Sequence, residues 1–367
     1  MKPLEIARRR IRNSRLSGDP FAAPDEAVRW HLAMQAQDYG PAMWSIGQRS
    51  REVADADVDR ALTDGAIVRT HVLRPTWHFV ARDDIRWLLA LSGPRVQQGN
   101  AGRYRQLGLD ARTLGRAEKV IAAALEGGNR LTRDEIAAVF DRRKLDRDGQ
   151  RMPYLLMHAE LDALIGSGGR RGKQQTYALL DERVPAGGRF DRDEALTELV
   201  RRYLTSHGPG TVKDMSWWSG LTMSDIRRAL GELGEEVASE EIDGLAFWSI
   251  ASERVRSAPA ARRAHLLQTY DELVVGYTES RFHGETGREL ARAAWSERTF
   301  PSGVILLNGR VGGHWRRTIE PNRISVTVHL YDAATGAEER ALEAAAKGLG
   351  RFHGRPATVE VSRFRPA

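Results

Sequence analysis

The amino-acid sequence predicts an α+β protein of three tandem winged-helix modules followed by a C-terminal β-rich domain. Three observations predict it. A group of amphipathic helices closed by a short hairpin recurs three times before residue 260, and beyond that point the texture turns to strands and tight turns. The third is compositional: 367 residues, 41% hydrophobic and 29% charged, a globular balance in a chain long enough for several cores. Cysteine is absent, which excludes disulfide scaffolds, cysteine nucleophiles, iron–sulfur clusters and cysteine zinc sites together. No apolar run reaches the length of a membrane span. The basic start, residues 1–15, has no apolar segment after it and does not read as a secretory signal. A cytoplasmic protein is expected.

The first module is expected within residues 1–120. Pro24, Asp25 and Glu26 open a helix, a proline and two acids being suited to a first turn. Its inward stripe runs Val28, then His31 or Leu32, then Gln35, and Gly40-Pro41 is read as its end. That places Gln35 and Gln37 in the last turn or just beyond. Strands Ile67–Leu73 and Thr76–Val80 close the module. The second, 121–187, is the clearest copy. Thr132 and Glu135 form a capping box, Ile136, Val139 and Phe140 an apolar stripe, and a second helix starts at Pro153 and stops at the run Gly166-Ser167-Gly168-Gly169. A basic hairpin follows, with Arg170, Arg171 and Lys173 at its turn. In the third, 188–256, Asp191 and Thr222 cap helices, Gly208-Pro209-Gly210 breaks between them, and an acidic hairpin turns at Asp243-Gly244. In the last region, 257–367, strands are expected at Leu266–Tyr270, Val304–Leu307, Val311–Arg317, Ile324–Tyr331 and Ala357–Val361. A helix at Ala337–Lys347 completes a small α+β or barrel-like domain joined through the Arg/Ala-rich stretch Ser257–Ala264.

The formal charge is +7, from 56 basic and 49 acidic residues, and 50 of the basic residues are arginine. Arginine bias follows from a GC-rich genome, or from a phosphate-binding surface that uses the planar guanidinium fork. The distribution bears on the choice. Residues 1–120 hold 20 basic and 14 acidic side chains, 121–250 hold 18 and 22, and 251–367 hold 18 and 13. Two basic ends around an acidic middle suit a partner gripped at two places, with nucleic acid the leading candidate.

By spacing alone, Gln35-Ala36-Gln37 is a pair of capping or surface glutamines. With Asp38 and Trp44, and with Arg74-Pro75-Thr76-Trp77-His78, it resembles the winged-helix DNA glycosylases of the AlkZ/YcaQ type. Further matches are Gly208-Pro209 with Trp218 and Gly220, Tyr270-Asp271-Glu272 with Gly276-Tyr277, and Asn308-Gly309 with Gly312 and Trp315. They are ordered along nearly the whole chain. The resemblance implies three winged helices and a β-rich domain around a concave DNA-binding face. Its catalytic motif is Gln-x-Gln in the AlkZ branch and Gln-x-Asp in the YcaQ branch, so Gln35 and Gln37 place this chain with AlkZ. That branch implies removal of bulky N7-alkylated purines and unhooking of interstrand crosslinks, often as self-resistance in producers of genotoxic natural products.

The chemistry accommodates a glutamine pair. An amide has no useful pKa and cannot be a general acid or base. An N7-alkylguanine, however, is already cationic and departs neutral, while the sugar becomes oxocarbenium-like. What remains is to place a water and aim carbonyl dipoles at the growing positive charge. Asp38 is a rival for water activation, or a helix-end solvating group. His78 orients the water, contacts a phosphate, or is a satisfied buried histidine. None of the six lysines lies near the motif in sequence, so a water-using, monofunctional enzyme is expected rather than a Schiff-base one. Double-stranded DNA carrying alkylated purines or crosslinks is the expected partner, touched by Arg170, Arg171 and Lys173 and by Arg316, Arg317 and Arg323 on a C-terminal hairpin. Trp217, Trp218 and Trp248 are assigned to core. No His/Asp/Glu spacing suits a metal, no glycine-rich phosphate loop appears, and no cofactor is implied. No dimerisation helix is visible, so a monomer is expected. The alternative is a non-catalytic winged-helix DNA-binding protein or transcription regulator, since fold alone never settles function.

Overall fold

The structure, a computed structural model, describes residues 3–184, 190–252, 264–281 and 303–363. After an N-terminal helix α1 (Pro3–Asn13), one element order occurs three times. The first repeat is α2 (Pro24–His31), β1 (Ala33–Gln35), α3 (Tyr39–Gly47), α4 (Asp55–Thr63) and the hairpin β2 (Ile67–Val72) and β3 (Arg74–Ala81). Its sheet has the order β1-β3-β2. A long helix α5 (Ile85–Gln106) leads to the second repeat: α6 (Ala111–Leu125), β4 (Leu131–Thr132), α7 (Arg133–Arg142), α8 (Arg151–Leu161), β5 (Ile165–Arg171) and β6 (Gln174–Leu179), with sheet order β4-β6-β5. A short helix α9 (Leu180–Arg183) follows. The third repeat is α10 (Arg192–His207), α11 (Val212–Ser219), α12 (Met223–Leu233), β7 (Val237–Ile242) and β8 (Leu245–Ile250). Here the short strand shrinks to a single bridge between Gly210 and Trp248.

The caps explain why these helices start where they do. Thr132, Asp191, Thr211 and Thr222 each accept the backbone N–H three residues on, and Glu135, Glu194, Asp214 and Asp225 return the bond. Each such cap contributes about 1 kcal/mol.

Two local expectations are corrected. Helix α2 ends at His31 because Leu32 takes φ 66°. Gln35 therefore lies on a strand, and Gly40-Pro41 sits in the first turns of α3 instead of ending α2. The run Gly166–Gly169 is likewise strand β5, and α8 ends before it at Leu161. Its glycines serve close approach: a Cβ at Gly166 would lie 2.6 Å from Val68 Cγ1, so the second hairpin presses directly on the first repeat.

The C-terminal region is β9 (Ala264–Gln268), α13 (Glu272–Val275), β10 (Gly303–Leu307), β11 (Arg310–Ile319), β12 (Ile324–Leu330), α14 (Gly336–Phe352) and β13 (Ala357–Arg363). Its sheet runs β13-β12-β11-β10-β9, antiparallel except for the β12/β13 pair. A parallel pair needs a crossover, and α14 supplies it. Among the described residues the sheet is open rather than barrel-like, because α14 covers one face with Leu342, Ala346, Leu349 and Phe352. The expected linker Ser257–Ala264 lies outside the described residues up to residue 263.

The first repeat's sheet is buried on both faces. Met34 and Phe79 join Trp44, Ile305, Trp315 and Val328 in a core shared with the C-terminal sheet. Ala33, Val68 and Val80 face the other way, into a core with Tyr203, Met215 and Trp218 of the third repeat. The second repeat has its own core around Ile121, Phe140 and Leu155.

Candidate functional site

The central element is β1. It pairs antiparallel with β3, with Gln35 opposite His78, and His78 is opposite Thr70 on β2. Directly opposed residues share a face, so these three side chains form one row, turned toward the third repeat. All are buried, and Gln35 Oε1, His78 Nε2 and Thr70 Oγ1 have no hydrogen-bond partner among the described residues. Such groups cost stability, and a row of them is a departure from ordinary core construction.

A buried carboxylate holds the strand. The Gln35 N–H donates to Glu272 Oε1 at 2.6 Å, while Trp218 Nε1 (2.8 Å) and His207 Nε2 (3.1 Å) approach Oε2. Gln268 Nε2 donates to the Gln35 carbonyl at 3.3 Å. Burial pushes the Glu272 carboxyl up, but the bond to His207, the nearby histidines and the Gln35 N–H together bring it down to about 2. Its neighbour Asp271 clamps the same region. It takes both Nη atoms of the buried Arg49 (2.7 and 2.9 Å) and the Ser45 hydroxyl (2.8 Å). Burial raises that carboxyl too, and Arg49, the Leu273 N–H and the Ser45 hydroxyl together more than offset it, leaving it below its ordinary value.

His78 is neutral. Burial, with Arg74 adding repulsion, lowers its pKa to about 3. Its Nδ1 lies 3.0 Å from the Thr76 carbonyl. Nδ1 thus carries the proton, and Nε2 is a bare lone pair on the face that Gln35 shares. Full burial removes His78 from any surface phosphate.

Gln37 and Asp38 are exposed, on the bend between β1 and α3. Arg69 of β2 donates to the Ala36 carbonyl at 3.0 Å and the Gln37 carbonyl at 3.4 Å, and lies over the Trp77 ring. Arg170 of the second hairpin pairs with Asp59 and stands 5.2 Å from the Tyr39 ring. Arg317 of β11 points in from the C-terminal sheet, 3.6 Å from the position of a Cβ at Gly40, within the field of Asp38. Three arginines from separate parts of the chain thus surround the bend. Of the other expected contact residues, Arg171 pairs with Glu135 (2.6 Å), Lys173 sits exposed at the hairpin turn, Arg316 is exposed, and Arg323 pairs with Glu320.

Trp218 is core, as expected, and Trp248 is partly buried against the same core cluster. Trp217 is not core: it is 46% exposed, being the neighbour in a helix that buries Trp218. Sequence spacing also missed a cluster. Glu118, His158 and Asp162 bring ligand-type atoms within 4.8 Å, because α6 lies beside α8. Their atoms are already engaged, His158 Nδ1 with Glu118 Oε1 at 2.9 Å and Asp162 with Gln97 at 2.9 Å. Glu272, Asp271 and Arg74 were visible only as members of motifs, without a role. Arg49 and His207 carried no sequence signal, since their partners lie 222 and 65 residues away.

The chain matches the family described as DNA glycosylase AlkZ-like over residues 28–352. It is similar to the interstrand DNA cross-link repair glycosylase of Streptomyces sahachiroi, with 24% identity over 299 residues, 77% of this chain and 79% of that protein. Its fold is similar to the solved structure of the Streptomyces sahachiroi DNA glycosylase AlkZ, with TM-score 0.80 at 21% identity, covering 99% of this chain and 100% of that one. This chain therefore belongs to the AlkZ-like DNA glycosylase family.

Proposed function

We propose that this protein is a monofunctional DNA glycosylase that hydrolyses the N-glycosidic bond of bulky N7-alkylpurines and unhooks interstrand crosslinks, in self-resistance to a genotoxic natural product. The crosslink substrate is carried over from the name of the Streptomyces sahachiroi relative. In this reading the three repeats are winged-helix modules, at 1–120, 121–187 and 188–256, with 257–367 as the C-terminal domain. The protein acts as a monomer on double-stranded DNA in the cytoplasm, at the nucleoid. Among the described residues no helix is long and apolar enough to cross a membrane.

The observation that carries the reading is the face built around Gln35. Its unspent carbonyl oxygen and the bare Nε2 of His78 lie side by side, with the Glu272 carboxylate against the Gln35 main chain. All three present electron density and none presents a proton. A cationic purine needs no acid to leave, and the sugar it leaves gains positive charge, which fixed negative dipoles in a dry site stabilise. Gln37, two residues on and exposed, is placed to hold the attacking water, with Asp38 and His78 in support. Arg170, Arg171, Lys173, Arg316, Arg317 and Arg323 then meet the phosphates.

The test is base release from duplexes carrying an N7-alkylguanine monoadduct or an N7–N7 crosslink, by wild type, Gln35→Ala and Gln37→Ala. Abasic sites formed by wild type and lost in both variants, with DNA affinity kept, are expected. Undiminished release by both variants overturns the assignment. No release at all, with tight sequence-specific binding to intact DNA, makes the chain a regulator.

A further inference from the structure

Among the described residues, Arg74 is a cation without a counterpart. It begins β3 and shares the strand face of Thr76 and His78, four residues from the His78 row, or about 13 Å along the strand. Its Nε and Nη2 are shut off from solvent without a hydrogen-bond acceptor, and its side chain makes no hydrogen bond or ion pair among the described residues. Burial lowers its pKa, and Glu272 only partly compensates. Arg281 adds a second positive charge nearby. The backbone enforces this position. Leu73 turns the hairpin at φ 63°, an unusual value for a non-glycine residue, and is held by Ser92 through its N–H at 3.0 Å. Gly220, the cap of α11, packs on the Leu73 carbonyl, which sets the Arg74 stem 3.5 Å from the Gly220 Cβ position. The guanidinium then lies 5.4 Å from the ring of the exposed Trp217, whose Nε1 donates to the Val275 carbonyl at 3.2 Å. Val275 is three residues from Glu272.

A largely desolvated guanidinium with an unspent Nη1 donor, beside a half-exposed indole and on the rim of the Gln35 face, has the chemistry of a nucleotide site. Nη1, the guanidinium nitrogen that is not shut off from solvent, can meet a phosphate through a charge-assisted hydrogen bond, and an indole face takes a base. Holding such a cation without a partner among the described residues disfavours the free protein, and backbone strain such as the left-handed Leu73 collects at binding sites.

We infer that Arg74 and Trp217 form a nucleotide subsite, with a DNA phosphodiester on the guanidinium and a base stacked on the indole. It serves the proposed glycosylase by seating the strand beside the lesion. The test is binding of Arg74→Gln, Arg74→Lys and Trp217→Leu to an intact duplex and to one carrying a stable abasic analogue, titrated with salt, alongside the melting temperature of each free protein. Arg74→Gln is expected to weaken binding about tenfold and to lower the slope of log K against log salt by about one, while the free protein melts no lower than wild type. Arg74→Lys restores the slope, and Trp217→Leu weakens binding without changing it. An unchanged affinity and slope in Arg74→Gln overturns the subsite, as does a large fall in its melting temperature, which marks a structural arginine. Binding does not require turnover. If wild type releases no base yet Arg74→Gln loses the slope, the subsite stands and the glycosylase reading falls. Release by wild type with an unchanged slope gives the reverse.

Discussion

Replacing Glu272 with glutamine isolates the charge that anchors the Gln35 strand. The carboxylate serves three donors from distant parts of the chain, the Gln35 N–H, His207 and Trp218. A carboxamide of the same shape keeps one accepting oxygen and turns an NH2 toward a donor. At least one buried donor then loses its acceptor, at about 1–3 kcal/mol, and the surviving bonds lose their charge assistance. The expected loss is about 3 kcal/mol at pH 7. The pH dependence supplies an independent value. The folded carboxyl sits at about 2 against its ordinary 4.5, which is worth roughly 3 kcal/mol by linkage. Because the folded value is depressed, this stabilisation is complete above pH 4.5 and is lost as pH falls toward 2. The gap between wild type and Glu272→Gln should therefore be constant above pH 5. It should narrow by up to about 1.4 kcal/mol per pH unit below pH 4.5. Urea unfolding at pH 7, 5, 4 and 3, followed by tryptophan fluorescence, measures it, and Trp218 is itself bonded to this carboxylate. A gap that does not change with pH, or a variant as stable as wild type at pH 7, refutes the reasoning.

Two further predictions bear on the surroundings. Gly220→Ala must hold an L-residue at φ 71° and push a Cβ into the Leu73 carbonyl; a loss of at least about 2 kcal/mol in chemical denaturation is expected, and an unshifted midpoint would contradict the close approach. Arg316→Ala and Arg323→Ala should each lower the salt slope of DNA binding by about one without altering stability, both being exposed; a wild-type slope would make them plain surface.

Elements were legible in the sequence where local chemistry governs them. The capping box at Thr132, the caps at Asp191 and Thr222, the Asp243-Gly244 and Asn308-Gly309 turns and the three-fold recurrence of helices with a hairpin all rest on interactions within a few residues. The motif matches likewise marked Gln35 and Gln37. Periodicity misread the segment that carries them. Residues 28–35 suit a helix stripe, but the reversal at Leu32 and pairing with β3 make Gln35 a strand residue. No local rule predicts a pairing with residue 78. The glycines at 166–169 read as a stop for the same reason, since their function is to let another repeat come close.

What the sequence by itself determined is the list of parts: the elements, their caps and turns, the absent cysteine, and the motifs that mark the family. Only the tertiary structure decided what those parts do to one another. It set the sheet of the first repeat between two cores, brought Glu272 under Gln35 and Asp271 onto Arg49, and left Arg74, among the described residues, without an anion beside Trp217. The physical reason is range. Caps and turns are satisfied by neighbours three or four residues away, whereas buried charges are satisfied, or left unsatisfied, by groups up to 270 residues distant, as Arg10 is by Ser280, and burial itself exists only once the chain has closed around them.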